Sequence, residues 1–132
     1  MAVNLVAVVV AAVASMVVGM LWYGPLFGKK WMALMKMKPS GAKKMAGTSM
    51  LLQLVSSLVL AYVLAVFIGV ANATTAVAGA MVGFWAWLGF IATVSVGSVL
   101  WEGKSTELYV LNNACHLVTL AIMGAIIASG MF

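Results

Sequence analysis

The sequence predicts an all-α integral membrane protein, a four-helix bundle with a short interfacial amphipathic helix between spans 1 and 2. Two observations predict it. Four long apolar runs fill most of the 132 residues, with 66% of residues hydrophobic and 7% charged. Six of the seven lysines fall in the single gap between the first two runs. A globular core of this size cannot hide so much apolar surface from water, so lipid must solvate much of it. A single transmembrane domain, residues 1–132, is expected.

The spans are expected at about 3–23, 45–69, 75–100 and 108–131. Each exceeds the ~20 residues needed to cross the hydrocarbon core. The chain opens Met-Ala-Val-Asn-Leu, without the positive region of a signal peptide, and the first run reads as a retained span. The link around Asn72-Ala-Thr-Thr75 is short and uncharged, so spans 2 and 3 are expected to be antiparallel neighbours.

Charge sets the orientation. Lys29, Lys30, Lys36, Lys38, Lys43 and Lys44 all lie in the first connection, and Lys104 lies in the third. Short lysine-rich loops stay in the cytoplasm, which places loops 1 and 3 inside and both termini outside. With that bias, any self-assembly should be parallel. The six clustered lysines sit beside spans, where they suit an anionic lipid leaflet; nucleic acid is not an expected partner. The single cysteine, Cys115, excludes an intrachain disulfide.

Inside the first connection, a helix is expected at about 26–37. Phe27, Trp31, Leu34 and Met35 share one face, with Lys29 and Lys36 opposite. Pro25 should break it from span 1, and Pro39-Ser-Gly41 should turn the chain into span 2. Trp22, Tyr23, Trp31 and Trp101 form an aromatic belt at that level. The apolar face of this helix explains Met32, Met35 and Met37 better than copper(I) binding does.

Small residues recur every four positions in span 1 (Ala7, Ala11, Ser15, Gly19) and in span 2 (Ser49, Gln53, Ser57, Ala61, Ala65). Span 3 carries Gly79, Gly83, Gly89 and Gly97. Helices approach closely in lipid where small side chains let backbones touch. Gly19, Gly79, Gly83 and Gly97 are therefore read as packing positions, within one bundle or between subunits.

Asn112, Asn113, His116 and Thr119 form a polar stripe on span 4. His116 falls roughly 13 Å deep at 1.5 Å per residue, and Gln53 of span 2 is at nearly that depth. With Ser15 and Thr93 they suggest a polar cup open toward the cytoplasm, its vestibule lined by Asn112, Asn113, His116, Gln53, Trp22 and Tyr23. A plainer reading weighs more at this stage: such residues commonly serve as interhelical hydrogen-bond partners, each worth ~1 kcal/mol. Trp85 and Trp87 either line a cavity or pack. Ser105 and Glu107 read as a cap and dipole partner for span 4.

Chemistry is sparse. No Asp, Glu, Lys or Arg lies within a span, which counts against proton- or sodium-coupled transport. No nucleophile–base pair is visible, so catalysis is disfavoured and no catalytic residue is assigned. His116 is the only histidine, which leaves no protein-only metal set, and no cofactor is implied.

The block Gly19-Met-Leu-Trp-Tyr-Gly-Pro-Leu-Phe-Gly-Lys-Lys-Trp-Met32 is distinctive, as is Leu100-Trp-Glu-Gly-Lys104. Together with Asn112-Asn-Ala-Cys-His-Leu117 and Met123-Gly-Ala-Ile126, they resemble the bacterial and archaeal membrane family called domain of unknown function 1761. The resemblance covers the whole chain. It implies a small four-helix membrane protein of the prokaryotic cytoplasmic membrane, with no established activity. Its pattern residues here are Trp22, Tyr23, Pro25, Phe27, Gly28, Trp31, Glu102, Gly103 and His116; Ala114 and Cys115 depart from the family's usual glycine-aromatic pair.

Two functions fit. One is a parallel homo-oligomer that binds or passes a small neutral or lipid-like molecule. The other is a non-catalytic accessory or assembly subunit of a larger membrane complex.

Overall fold

The computed structural model describes residues 3–35 and 39–130, with side chains described over 3–34 and 47–130. Lys36 and Lys38, Met37, and the side chains of Met35, Lys43 and Lys44 lie outside the described residues.

Four helices among the described residues are long and apolar enough to cross a membrane: Leu5–Leu26, Gly47–Val70, Ala76–Leu100 and Thr106–Ser129. They are called spans 1 to 4. Span 2 is the apolar part of a longer helix, Pro39–Val70. The expected turn at Pro39-Ser-Gly41 is instead the start of that helix. Proline suits a first turn because its missing N–H would have no helical partner there. A shorter helix, Gly28–Met35, lies between spans 1 and 2.

Each start has a local cause. The Asn4 side chain caps span 1, accepting from the Val6 and Ala7 amides at 3.0 and 3.3 Å. Thr75 accepts from the Ala78 amide at 3.1 Å and Ser105 from the Leu108 amide at 3.0 Å. These caps satisfy amides that the first helical turn leaves free. Asn72 turns the chain between spans 2 and 3 with φ at +55°, a conformation asparagine tolerates better than most residues. Span 1 kinks at Gly24 (φ −111°, ψ −105°), the residue before Pro25, where the proline ring disfavours helical geometry. The chain still continues through Pro25 in a wide π-helical turn, Trp22–Leu26, before the short helix begins.

The spans run antiparallel in succession. One end, the terminal end, carries Asn4, Gly130 and the Asn72 turn; the Asn4 amide nitrogen donates to the Gly130 carbonyl. The other, the lysine end, carries Lys29, Lys30 and Lys104. Span 4 is the central element, packed against spans 3 and 1, and span 1 packs against span 2. Spans 2 and 3 touch far less despite their short link. The turn joins their ends without forcing their faces together.

Packing explains that order. A Cβ on Gly83 would collide with the Leu120 carbonyl, and one on Gly79 with the Gly124 carbonyl and the Ala128 side chain. Gly124 returns the contact against the Gly79 carbonyl. Three glycines thus let the backbones of spans 3 and 4 touch, which favours dispersion contacts in lipid. On the other side, Ala11, Ala12, Ala61 and Ala65 are fully buried with Leu64, Ile68, Leu120, Met123 and Ile127 in the main core. This core fills the terminal half.

Candidate functional site

The lysine half is built differently. Its polar groups divide into a bonded frame and an unbonded pair.

The frame centres on Asn112 and Asn113, which point to different neighbours because adjacent helical residues diverge by about 100°. Tyr23 Oη donates to Asn112 Oδ1 at 2.8 Å, joining span 1 to span 4. Trp22 Nε1 donates to the Leu111 carbonyl at 3.1 Å. Toward span 3, Trp87 Nε1 donates to the Asn113 carbonyl at 2.9 Å. The Ser95 hydroxyl reaches both the Ile91 carbonyl and Asn113 Oδ1, at 2.6 and 3.0 Å. Asn113 Nδ2 donates to the Tyr109 carbonyl at 3.0 Å, and Tyr109 Oη to the Ala92 carbonyl at 2.6 Å. Buried polar groups in lipid need such partners.

Trp22, Tyr23, Asn112 and Asn113 thus each take part in a helix–helix hydrogen bond. Ser15 and Thr93 are each bonded to a carbonyl of their own helix, Ala12 and Gly89 respectively. Cys115 is buried, with Sγ 4.0 Å from Thr119 Oγ1.

The pair is Gln53 and His116. Both side chains are exposed, and neither has a hydrogen-bond partner among the described residues. Gln53 lies one turn from buried Ser57 on the face that span 2 turns to the bundle. His116 lies one turn from buried Leu120 on the face that span 4 turns to the core. The span 2 stripe thus leaves the packed core toward the lysine end, whereas on span 4 Asn112 and Asn113, one turn beyond His116, are covered again. Residues 47–56 of span 2 are all exposed, so this half of the helix stands away from its neighbours.

Gly19 shows the same separation. Ser57 Oγ lies 3.8 Å from Met16 Sδ, fixing the register of spans 1 and 2. Extending it inward puts Gly19 near the level of Gln53, yet a Cβ on Gly19 would meet nothing within 4 Å. A Cβ on Gly97 would meet only the Trp101 ring, at 3.9 Å. Among the four glycines read as packing positions, Gly79 and Gly83 sit at helix–helix contacts within the chain, whereas Gly19 and Gly97 do not.

Toward the terminal end from the pair, spans 2 and 3 border an open-sided apolar cleft of about 300 Å³. Leu60, Val63, Leu64 and Phe67 form one wall, Ala86, Phe90 and Ile91 the other, and Leu120 the floor. The rings of Phe67 and Phe90 lie 6.2 Å apart across it. The span 3 wall coincides with a π-helical segment, Trp87–Ala92. Alternating residue types could not reveal this cleft, because its lining reads as ordinary span sequence. Of the two mid-span tryptophans, Trp87 is bonded to span 4, whereas Trp85 is 61% exposed.

Near the lysine end, the Trp22 and Phe27 rings and the Tyr23 and Trp31 rings form tilted pairs, with centroids 4.8 and 5.2 Å apart. Lys30 Nζ lies 3.8 Å from Glu107 Oε2, tying the short helix to the start of span 4. Gly28 is required by this fold, since a Cβ there would press on the Tyr23 carbonyl. Among the described residues, no three metal-ligating side chains come together.

A family model described as Protein of unknown function (DUF1761) matches residues 6–128, a range that takes in nearly all of the four spans. The chain belongs to the DUF1761 family. Its members share a family of unknown function, and the present chain is a multi-pass helical membrane protein within it. No curated protein and no solved structure matches the chain.

Proposed function

We propose that this protein binds or passes a small neutral or lipid-like molecule through the open space at its lysine end. The observation that carries this reading is the Gln53–His116 pair. Two exposed hydrogen-bonding side chains at similar depth have no partner among the described residues, at a level where lipid offers none. Intramembrane groups of this kind commonly mark a ligand path. The frame built on Asn112 and Asn113 joins spans 1, 3 and 4 and uses neither Gln53 nor His116. The lysine bias favours loops 1 and 3 in the cytoplasm, termini outside, parallel packing in a homo-oligomer, and Lys29, Lys30, Lys36, Lys38, Lys43 and Lys44 on the anionic leaflet; the family resemblance points to a prokaryotic cytoplasmic membrane.

Native mass spectrometry of the protein released from its own membrane tests the reading. A discrete small mass should accompany the wild type and be depleted in Gln53→Ala and His116→Ala, with helicity retained. Equal retention by both folded variants would refute it.

A second reading is that of an accessory subunit, favoured by the exposed segment 47–56 and the empty surroundings of Gly19. A partner helix would fill the same space. In that case the same spectra would show a stoichiometric protein partner in place of the small mass.

A further inference from the structure

We infer that the exposed face of span 2 carrying Ser49, Gln53, Ser56 and Leu60 docks on span 2 of a second copy of this chain, with the two Gln53 amides paired across a two-fold axis. The inference rests on the reading of Gln53 given above and names the partner that completes that site.

The spacing builds a seam. These residues follow at intervals of four, three and four, so on a helix they share an arc of about 60°. All four are exposed. Alternating intervals of three and four are those by which two helices pack along their length. Ala61 and Ala65, buried in the core shared with span 1, fall about 100° or more from the centre of the seam. A second copy can therefore take this face without displacing span 1.

Polarity calls for a partner. Gln53 lies about 9 Å beyond Gly47, where span 2 begins, and its amide makes no hydrogen bond among the described residues. Neither does the Ser56 hydroxyl. By contrast, Ser15, Thr93, Ser95 and Ser129 each turn back onto a carbonyl of their own helix. Acyl chains can cover an apolar face, but they cannot satisfy an amide.

The amide also selects its mate. It carries both donors and acceptors, so a second amide complements it, N–H to C=O in both directions. A two-fold axis along the membrane normal sets Gln53 against its own counterpart at equal depth, and the lysine bias gives both copies the same orientation. Charge permits the approach. By the same count Lys43 and Lys44 fall about 110° and 150° from the seam, so the like charges of two copies do not oppose each other across it. The reciprocal pair uses one N–H and one carbonyl lone pair of each amide and leaves one of each. The second copy thus adds to the polar site without consuming it.

Disulfide cross-linking in native membranes tests this, using the full chain with Cys115→Ser and one new cysteine at a time. The expected result is a covalent dimer from Ser49→Cys, Ser56→Cys and Leu60→Cys. None should form from Leu51→Cys, Val55→Cys or Val59→Cys, which are exposed at matching depths but lie about 90° or more away. In the Ser56→Cys chain, Gln53→Leu should lower the dimer yield ~5-fold, and Gln53→Asn should restore most of it. Equal yields from both faces, no dimer from the seam, or an unchanged yield in Gln53→Leu would overturn the inference. A product containing a different protein would overturn the assignment to a second copy. Native mass spectrometry separates this from the ligand reading. Seam dimers without a bound small mass would support the interface and refute that reading. A small mass lost in Gln53→Ala and His116→Ala, without seam dimers, would do the reverse.

Discussion

At the terminal end, spans 1 and 2 lie together along their small residues; at the lysine end the same stripes continue and the helices stand apart. Ala11, Ser15, Ser57 and Ala61 are buried, whereas Gln53 is exposed and Gly19 has no close neighbour. The comparison teaches that a small-residue stripe permits close approach without causing it. What holds the terminal half is the large side chains packed over the stripe: Leu64, Ile68, Leu120, Met123 and Ile127 are all fully buried. At the lysine end the equivalent positions carry Gln53 and His116, which provide no such filling. Span 1 is diverted there as well, because Trp22 and Tyr23 bond to span 4 and Gly24 kinks the chain.

The strongest way to break this contrast is at the span 3–span 4 contact. Gly83→Leu forces a side chain against the Leu120 backbone and should cost ~3 kcal/mol or prevent folding, measured by denaturant titration in micelles. In the terminal core, Ala61→Leu should cost ~2 kcal/mol in the same assay, because that position has no exposed surface. Asn113→Ala removes the side chain shared by Ser95 and the Tyr109 carbonyl and should cost ~1 kcal/mol.

Gly19→Leu is the sharpest comparison. It adds more bulk than Ala61→Leu does, on the same kind of stripe, yet should change stability by less than ~0.5 kcal/mol because nothing stands within reach. A loss as large as that of Ala61→Leu would show that spans 1 and 2 close at the lysine end in the bilayer. Smallest of all, Glu107→Gln should cost ~0–0.5 kcal/mol, since both partners of the Lys30 pair are well exposed. Any such effect should shrink in high salt, as the stability difference between wild type and variant at two ionic strengths would show.

Much of the architecture was legible because lipid imposes simple rules. Span number follows from run length, and helix starts follow from Asn4, Thr75 and Ser105, whose side chains cap the chain locally. The roles of Gly79 and Gly83 follow from size alone. The polar residues were less legible. Asn112, Asn113 and His116 occupy neighbouring positions on one helix, but two are bonded to different spans and the third to none among the described residues. Spacing along a helix gives the angle at which a residue projects; it does not give the distance to the helix it faces. Pro39 misled for a related reason, since a proline that ends one helix also begins another well.

By itself, then, the sequence determined that the backbone forms membrane-spanning helices, because hydrocarbon leaves every N–H and C=O to be satisfied within its own segment. The tertiary structure decided which faces meet. That choice depends on competing contacts made by residues far apart in the chain: glycines drawing span 3 onto span 4, alanines drawing span 2 onto span 1. The cleft between spans 2 and 3 is the space those two preferences leave, and no segment of the sequence encodes it alone.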